Sequence, residues 1–171
     1  MDQNLLALER LQIAAAVAPL ALTTARTGYA ISMKNYRRCL VVFFAGIGTA
    51  GDDPTITLLQ GTDVTFGTSK ALNFTKWWHK QDLTKLSDVG QWTEVERAAA
   101  NTITHVDGAE SMKLWAFEVK AEDLDTDNGY DCIRASISDV GTNAQLGCML
   151  YILLDPLYPA SPANMRGVVA D

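Results

Sequence analysis

Two unbroken apolar runs constrain this chain more than any other feature. The first, Cys39-Leu40-Val41-Val42-Phe43-Phe44, lies within Arg38 to Ala45. It is short, and its β-branched and aromatic residues mark a strand. A strand with one wet face alternates apolar and polar residues. An unbroken run therefore predicts a strand covered on both faces. The second run, Leu146 to Leu154, reads as another unbroken apolar strand that stops at Asp155-Pro156.

Shorter strand patterns fill the space between them. Tyr29 to Met33 alternates weakly, and Thr55 to Gln60 reads as the strand that returns after a turn at Gly46, Gly48, Gly51 and Asp52-Asp53-Pro54. Gly61-Thr62-Asp63 turns again, and Ser69 to Phe74 places Leu72 and Phe74 on one face. Further strands are predicted at Trp92 to Arg97, Thr102 to Val106 and Lys113 to Val119. Asp131 to Ser138 alternates most cleanly, with Ile133, Ala135 and Ile137 inward and Arg134, Ser136 and Ser138 outward. About eight strands at close spacing predict an all-β domain, a jelly-roll-like β-sandwich. Asp82 to Leu86 and Ala121 to Leu124 read as single helical turns.

The two ends read differently. Leu5, Leu8, Leu11 and Ala15 recur at helical spacing, Asn4 is a candidate N-cap, and Pro19 ends the pattern. Residues 1–28 are thus expected to form a helical arm and linker, residues 29–158 the β-sandwich, and residues 159–171 an extended tail carrying Pro159, Pro162, Asn164 and Gly167. Ile13 to Leu22 resembles the apolar stretch of a secretion signal. Asp2 and Glu9 against Arg10 give it the wrong charge for that role.

Composition excludes several function classes. The chain of 171 residues carries 14 basic and 20 acidic side chains, a net charge of −6. The basic residues are scattered, which disfavours direct nucleic-acid binding and docking on an anionic membrane. Cys39, Cys132 and Cys148 lie in apolar runs without a CxxC spacing and read as small buried hydrophobes of a chain folded in a reducing compartment.

Few segments offer chemistry. In the acidic loop at 122–131, Asp123, Asp125 and Asp127 have the opening spacing of an EF-hand, but its glycine comes one residue late and Arg134 stands where the closing Glu belongs. The loop reads instead as a solvated hairpin connection, with Asn128-Gly129 supplying the turn. Glu94 and Glu96 share a strand face as a glycosidase pair does, in an otherwise ordinary half-exposed strand. In Lys76-Trp77-Trp78-His79-Lys80, neighbouring Trp residues of a strand point to opposite faces, which predicts one core Trp and one Trp contacting a neighbouring subunit or a ligand. His105 precedes an Asp107-Gly108 turn with no nucleophile patterned beside it. No catalytic, cofactor-binding or metal-ligating residue is nominated, and the chain reads as a non-enzyme.

Several phrases carry a resemblance. Thr55-Ile56-Thr57-Leu58-Leu59-Gln60 with Asp63 and Gly67-Thr68-Ser69-Lys70-Ala71-Leu72 is similar to small structural proteins of tailed bacteriophages. So are Ala121-Glu122-Asp123-Leu124-Asp125 leading to Asn128-Gly129-Tyr130-Asp131, and Ala144-Gln145-Leu146-Gly147 with Tyr151-Ile152-Leu153. The chain resembles head decoration, or cement, proteins and related auxiliary virion proteins. That resemblance implies a virion protein made in the host cytoplasm and carried on the capsid exterior. It also implies a homo-oligomer, a trimer by preference, that binds the major capsid protein and stabilises the DNA-filled head. A tail or head–tail joining component and a carbohydrate-binding β-sandwich module are the alternatives.

Overall fold

The computed structural model describes residues 6–51, 53–81, 83, 89–104, 111–138 and 145–169. They form two antiparallel sheets, linked in part by single 3-10 turns. The strands are β1 (Leu11–Ala21), β2 (Arg26–Thr27), β3 (Ile31–Ser32), β4 (Tyr36–Ala45), β5 (Thr55–Gly61) and β6 (Ser69–Ala71). They continue with β7 (Phe74–Gln81), β8 (Thr93–Ala100), β9 (Thr102–Thr104), β10 (Lys113–Lys120), β11 (Cys132–Ile137) and β12 (Leu146–Pro156). The long strands make sheet A, ordered β1-β12-β4-β10-β7-β8. Sheet B runs β2-β11-β5-β6, with β3 also on β11 and β9 also on β5. The all-β expectation and the two-sheet architecture stand. The jelly-roll count of about eight strands gives way to twelve described strands in two sheets of six.

The two apolar runs lie side by side at the centre of sheet A. β12 pairs with β4 from Gly147↔Ala45 to Pro156↔Tyr36, and β10 lines the other side of β4 from Lys113↔Ala45 to Lys120↔Arg38. Their inward side chains build the core: Val41, Phe43, Trp115, Phe117, Met149 and Leu153 are all fully buried. The Trp115 ring meets Phe43 at 5.2 Å and Trp77 at 5.5 Å, and Phe74 stacks on Phe117 at 5.4 Å. Sheet B closes this core with Ile56, Leu58, Ile133, Ala135 and Ile137. Its cleanest strand, β11, alternates as its sequence predicts.

One buried hydroxyl ties the sheets together. Tyr151 of β12 accepts a hydrogen bond from the Ala135 N–H of β11 at 2.7 Å and donates to the Tyr29 carbonyl at 3.0 Å. Burial pushes its pKa well above the usual phenol range. Nearby, Gly28 lets the chain come close to β11, where a Cβ would stand 2.2 Å from the Ala135 carbonyl oxygen.

The N-terminal helical arm is not formed. A 3-10 turn spans Ala7–Glu9, and Leu11–Ala21 is the edge strand of sheet A, paired with β12 from Leu11↔Leu154 to Ala21↔Leu146. Alanine is the best helix former, but helix propensity is a weak determinant that tertiary context overrides, and here pairing with a long apolar strand outweighs it. Pro19 fits because β1 is an edge and its register slips between Val17 and Leu20, leaving no ladder bond for proline to lose. Nor is the tail a free arm over the residues described. Val168 is buried, its carbonyl accepts from the Ser32 N–H at 2.7 Å, and the Tyr36 hydroxyl donates to the Arg166 carbonyl at 2.9 Å. The helical turn expected at Ala121 to Leu124 is a 3-10 turn, Ala121–Asp123. The one expected at Asp82 to Leu86 lies almost wholly outside the described residues.

Replacing Tyr151 by Phe keeps the shape but strands the buried Ala135 N–H and removes the donor from the Tyr29 carbonyl. The expected cost is about 1–3 kcal/mol, and a drop of several degrees in the thermal midpoint. Melting followed by near-UV circular dichroism measures it, and an unchanged midpoint contradicts the cross-sheet link.

A candidate interaction face

Sheet A has two apolar faces, and sheet B covers only one. Between the buried residues of β4 stand Leu40, Val42 and Phe44, and between those of β12 stand Cys148, Leu150, Ile152 and Leu154. The register sets them opposite one another: Cys148 beside Phe44, Leu150 beside Val42, Ile152 beside Leu40. β1 extends the face with Ile13 beside Ile152 and Ala15 beside Leu150. β10 extends it the other way with Leu114 beside Phe44 and Ala116 beside Val42.

None of these outward side chains belongs to the buried core cluster. Ile13 is 49% exposed, Phe44 46% and Leu146 67%. The central ones of β4 and β12 are half-buried, and Ala116 is buried, because bulky neighbours shade each other. Apolar side chains gathered on an exposed sheet mark an association surface, whereas single exposed ones need no explanation.

The face is zoned. Beyond β10 it turns polar: Lys76 of β7 pairs with Glu94 at 2.9 Å and with Glu96 at 3.0 Å on β8. At the end of β4, Arg38 pairs with Asp155 at 2.6 Å and with Glu118 at 3.4 Å. The border holds an open hollow lined by Leu40, Trp78, Trp92, Ala116 and Glu118. Sheet B is different. Its outward positions include Thr55, Thr57, Arg134 and Ser136, the ordinary polar side of a sandwich.

The sequence candidates fall into place around this face. Trp77 is buried against Trp115, and Trp78 points outward, its indole N–H donating to Glu94 at 3.0 Å. Glu94 and Glu96 form an ion-pair ladder with Lys76, whose ammonium holds the Glu94 carboxyl below the usual carboxylate range. Of the cysteines, Cys39 and Cys132 are buried, but Cys148 is half-exposed on the apolar face instead of sitting in the core. His105 lies outside the described residues. Sequence reasoning missed the contribution of β1, whose Ile13 and Ala15 were assigned to a helix, and of Trp92 at the border.

The acidic loop is not a hairpin. It carries the chain from β10 in sheet A to β11 in sheet B through two 3-10 turns, and only Gly129 adopts positive φ, at 80°. Glu122, Asp123 and Asp125 have partners. Asp125 pairs with Lys70 and accepts from the Asn128 amide at 2.9 Å. Asp123 accepts from the Lys120 N–H at 3.0 Å, and Glu122 pairs with Lys120 at 3.2 Å. Buried Gln60 clamps the loop, accepting from the Asp125 N–H at 2.9 Å and donating to the Ala71 carbonyl at 3.2 Å. Among the described residues, no three His, Cys, Asp or Glu side chains converge on a cation-sized space. Nor is any described helix long and apolar enough to cross a membrane.

Lys70, and secondarily Asn128, lower the pKa of Asp125. The stabilisation this gives is fully present above the ordinary Asp value of about 3.9 and is lost as pH falls through the lower folded value. A carboxyl-carbon NMR titration is expected to place the Asp125 midpoint below that ordinary value, and Lys70→Met is expected to raise it. A native midpoint at or above the ordinary value contradicts the pairing.

No protein-family model and no curated protein matches the chain. Among solved structures, it resembles the crystal structure of the SPBc2 prophage-derived protein YomS, with 12% identity and a TM-score of 0.43. The match covers 82% of this chain and 92% of that one. A likeness of that degree carries neither function nor partner across to this chain.

Proposed function

We propose that the chain is a structural subunit of a bacteriophage particle, of the decoration class that binds the major capsid protein lattice and strengthens the DNA-filled head. One observation carries the reading: sheet A is apolar on both faces and the described chain covers only one. A face of that kind supplies contact area, which is what an assembly subunit needs.

The place in the virion is supported by the sequence phrases at 55–72, 121–131 and 144–153, which resemble small phage structural proteins. The charge of −6 suits the exterior of a head, away from packaged DNA. Attachment does not run through clasping arms, because β1 is built into sheet A and the described tail is folded back on the domain.

The test uses expanded heads assembled without the chain. Added chain is expected to co-sediment with them and to raise their melting temperature. Failure to co-sediment overturns the decoration reading. Incorporation at about six or twelve copies per particle overturns it as well, in favour of a ring at the portal or tail, by the closure such interfaces require.

A further inference from the structure

We infer that the outer face of sheet A is occupied by a second copy of this chain, the two sheets packing face to face about a two-fold axis. This rests on the reading above that the face is an association surface, and it names the partner.

Area is the first argument. Strands β1, β12, β4 and β10 at about 4.8 Å spacing, and the apolar length of β12 at about 3.3 Å per residue, give an apolar face of roughly 19 Å by 27 Å. That is about 510 Å² in plan; side-chain relief and a rim that includes Trp78 and Trp92 add to it, toward the ~800 Å² per partner of a stable pair. Its make-up matches an interface core: Leu40, Val42, Leu150 and Ile152 stand at the centre, with Phe44 and Trp78 toward the rim.

Charge is the second argument. The chain carries −6, so two copies repel in most orientations. On this face the charges stand at the rim and in ion pairs, Arg38 with Glu118 and Asp155, and Lys76 with Glu94 and Glu96. The centre, Leu40, Val42, Leu150 and Ile152, is uncharged. An uncharged apolar centre offers no group that selects a charged partner, and it is complementary to itself.

Symmetry is the third. A three-fold ring joins two different patches, whereas a two-fold pair joins one patch to itself. The outer face of sheet B is lined by Thr55, Thr57, Arg134 and Ser136, with Leu59 as an isolated apolar position beside Arg134, and offers no apolar patch to match. The same patch on both copies gives a closed pair, with sheets about 10 Å apart and aligned within about 30°. This departs from the trimer that the sequence resemblance implies.

Sedimentation equilibrium of the native chain at tens of micromolar tests the pairing. The expected mass is twice the 18.6 kDa of one chain. Ile152→Glu places an unpaired carboxylate at the centre of the face and is expected to weaken pairing roughly a hundred-fold or more. Ile13→Glu, at a position already 49% exposed on the edge strand, does the same with less risk to the fold. Circular dichroism melting verifies that each variant is folded. A native mass of 18.6 kDa, a trimer mass, or folded variants that keep the native mass overturns the pairing. A monomer that still co-sediments with heads overturns the pairing alone and assigns the face to the capsid subunit. A dimer that ignores heads supports the pairing and overturns the decoration reading.

Discussion

Everything in this structure is arranged around the pairing of β4 with β12. Two unbroken apolar runs of the chain meet in antiparallel register, within a ladder from Gly147↔Ala45 to Pro156↔Tyr36. Each is apolar at consecutive positions, so their ladder generates two apolar surfaces at once. One becomes the core of the sandwich. The other cannot be hidden by the same sheet B, because period-two geometry sends alternate side chains to opposite sides. A domain with a single second sheet is left with a hydrophobic exterior.

The inner surface is closed with both packing and polar specificity. Phe43, Trp115 and Trp77 make a continuous aromatic column, and the Tyr151 hydroxyl fixes the offset of sheet B through Ala135 and Tyr29. Burying that hydroxyl is tolerable because both of its hydrogen-bonding roles are filled. The loop from β10 to β11 is held in the same manner, by Gln60 from inside and Lys70 from outside. The acidic residues there serve the crossing between sheets.

The central strands were legible in the sequence because their message is strong: an unbroken β-branched and aromatic run admits few alternatives. β11 was legible because Arg134 and Ser136 alternate with Ile133, Ala135 and Ile137. β1 was not. Its leucines and alanines satisfy a helical spacing, and the deciding fact, an available edge on β12, lies far away in sequence. The acidic loop was misread for a related reason. Asn128-Gly129 is a good hairpin signal, but local turn chemistry does not say that β10 and β11 belong to different sheets. The candidate face was half visible. Continuous apolar strands announced burial on both sides, while the identity of the covering partner is not written in either strand.

The reactivity of Cys148 reports directly on whether the outer face is covered. Among the described cysteines it alone is not buried, and it stands on the apolar face beside Phe44. Maleimide labelling of the native chain is compared with labelling of the Ile152→Glu variant. A carboxylate introduced nearby disfavours the thiolate, so local electrostatics alone slows the variant. The account predicts the opposite: slow modification in the native chain and markedly faster modification once the face is opened. Modification as fast in the native chain as in the variant contradicts it.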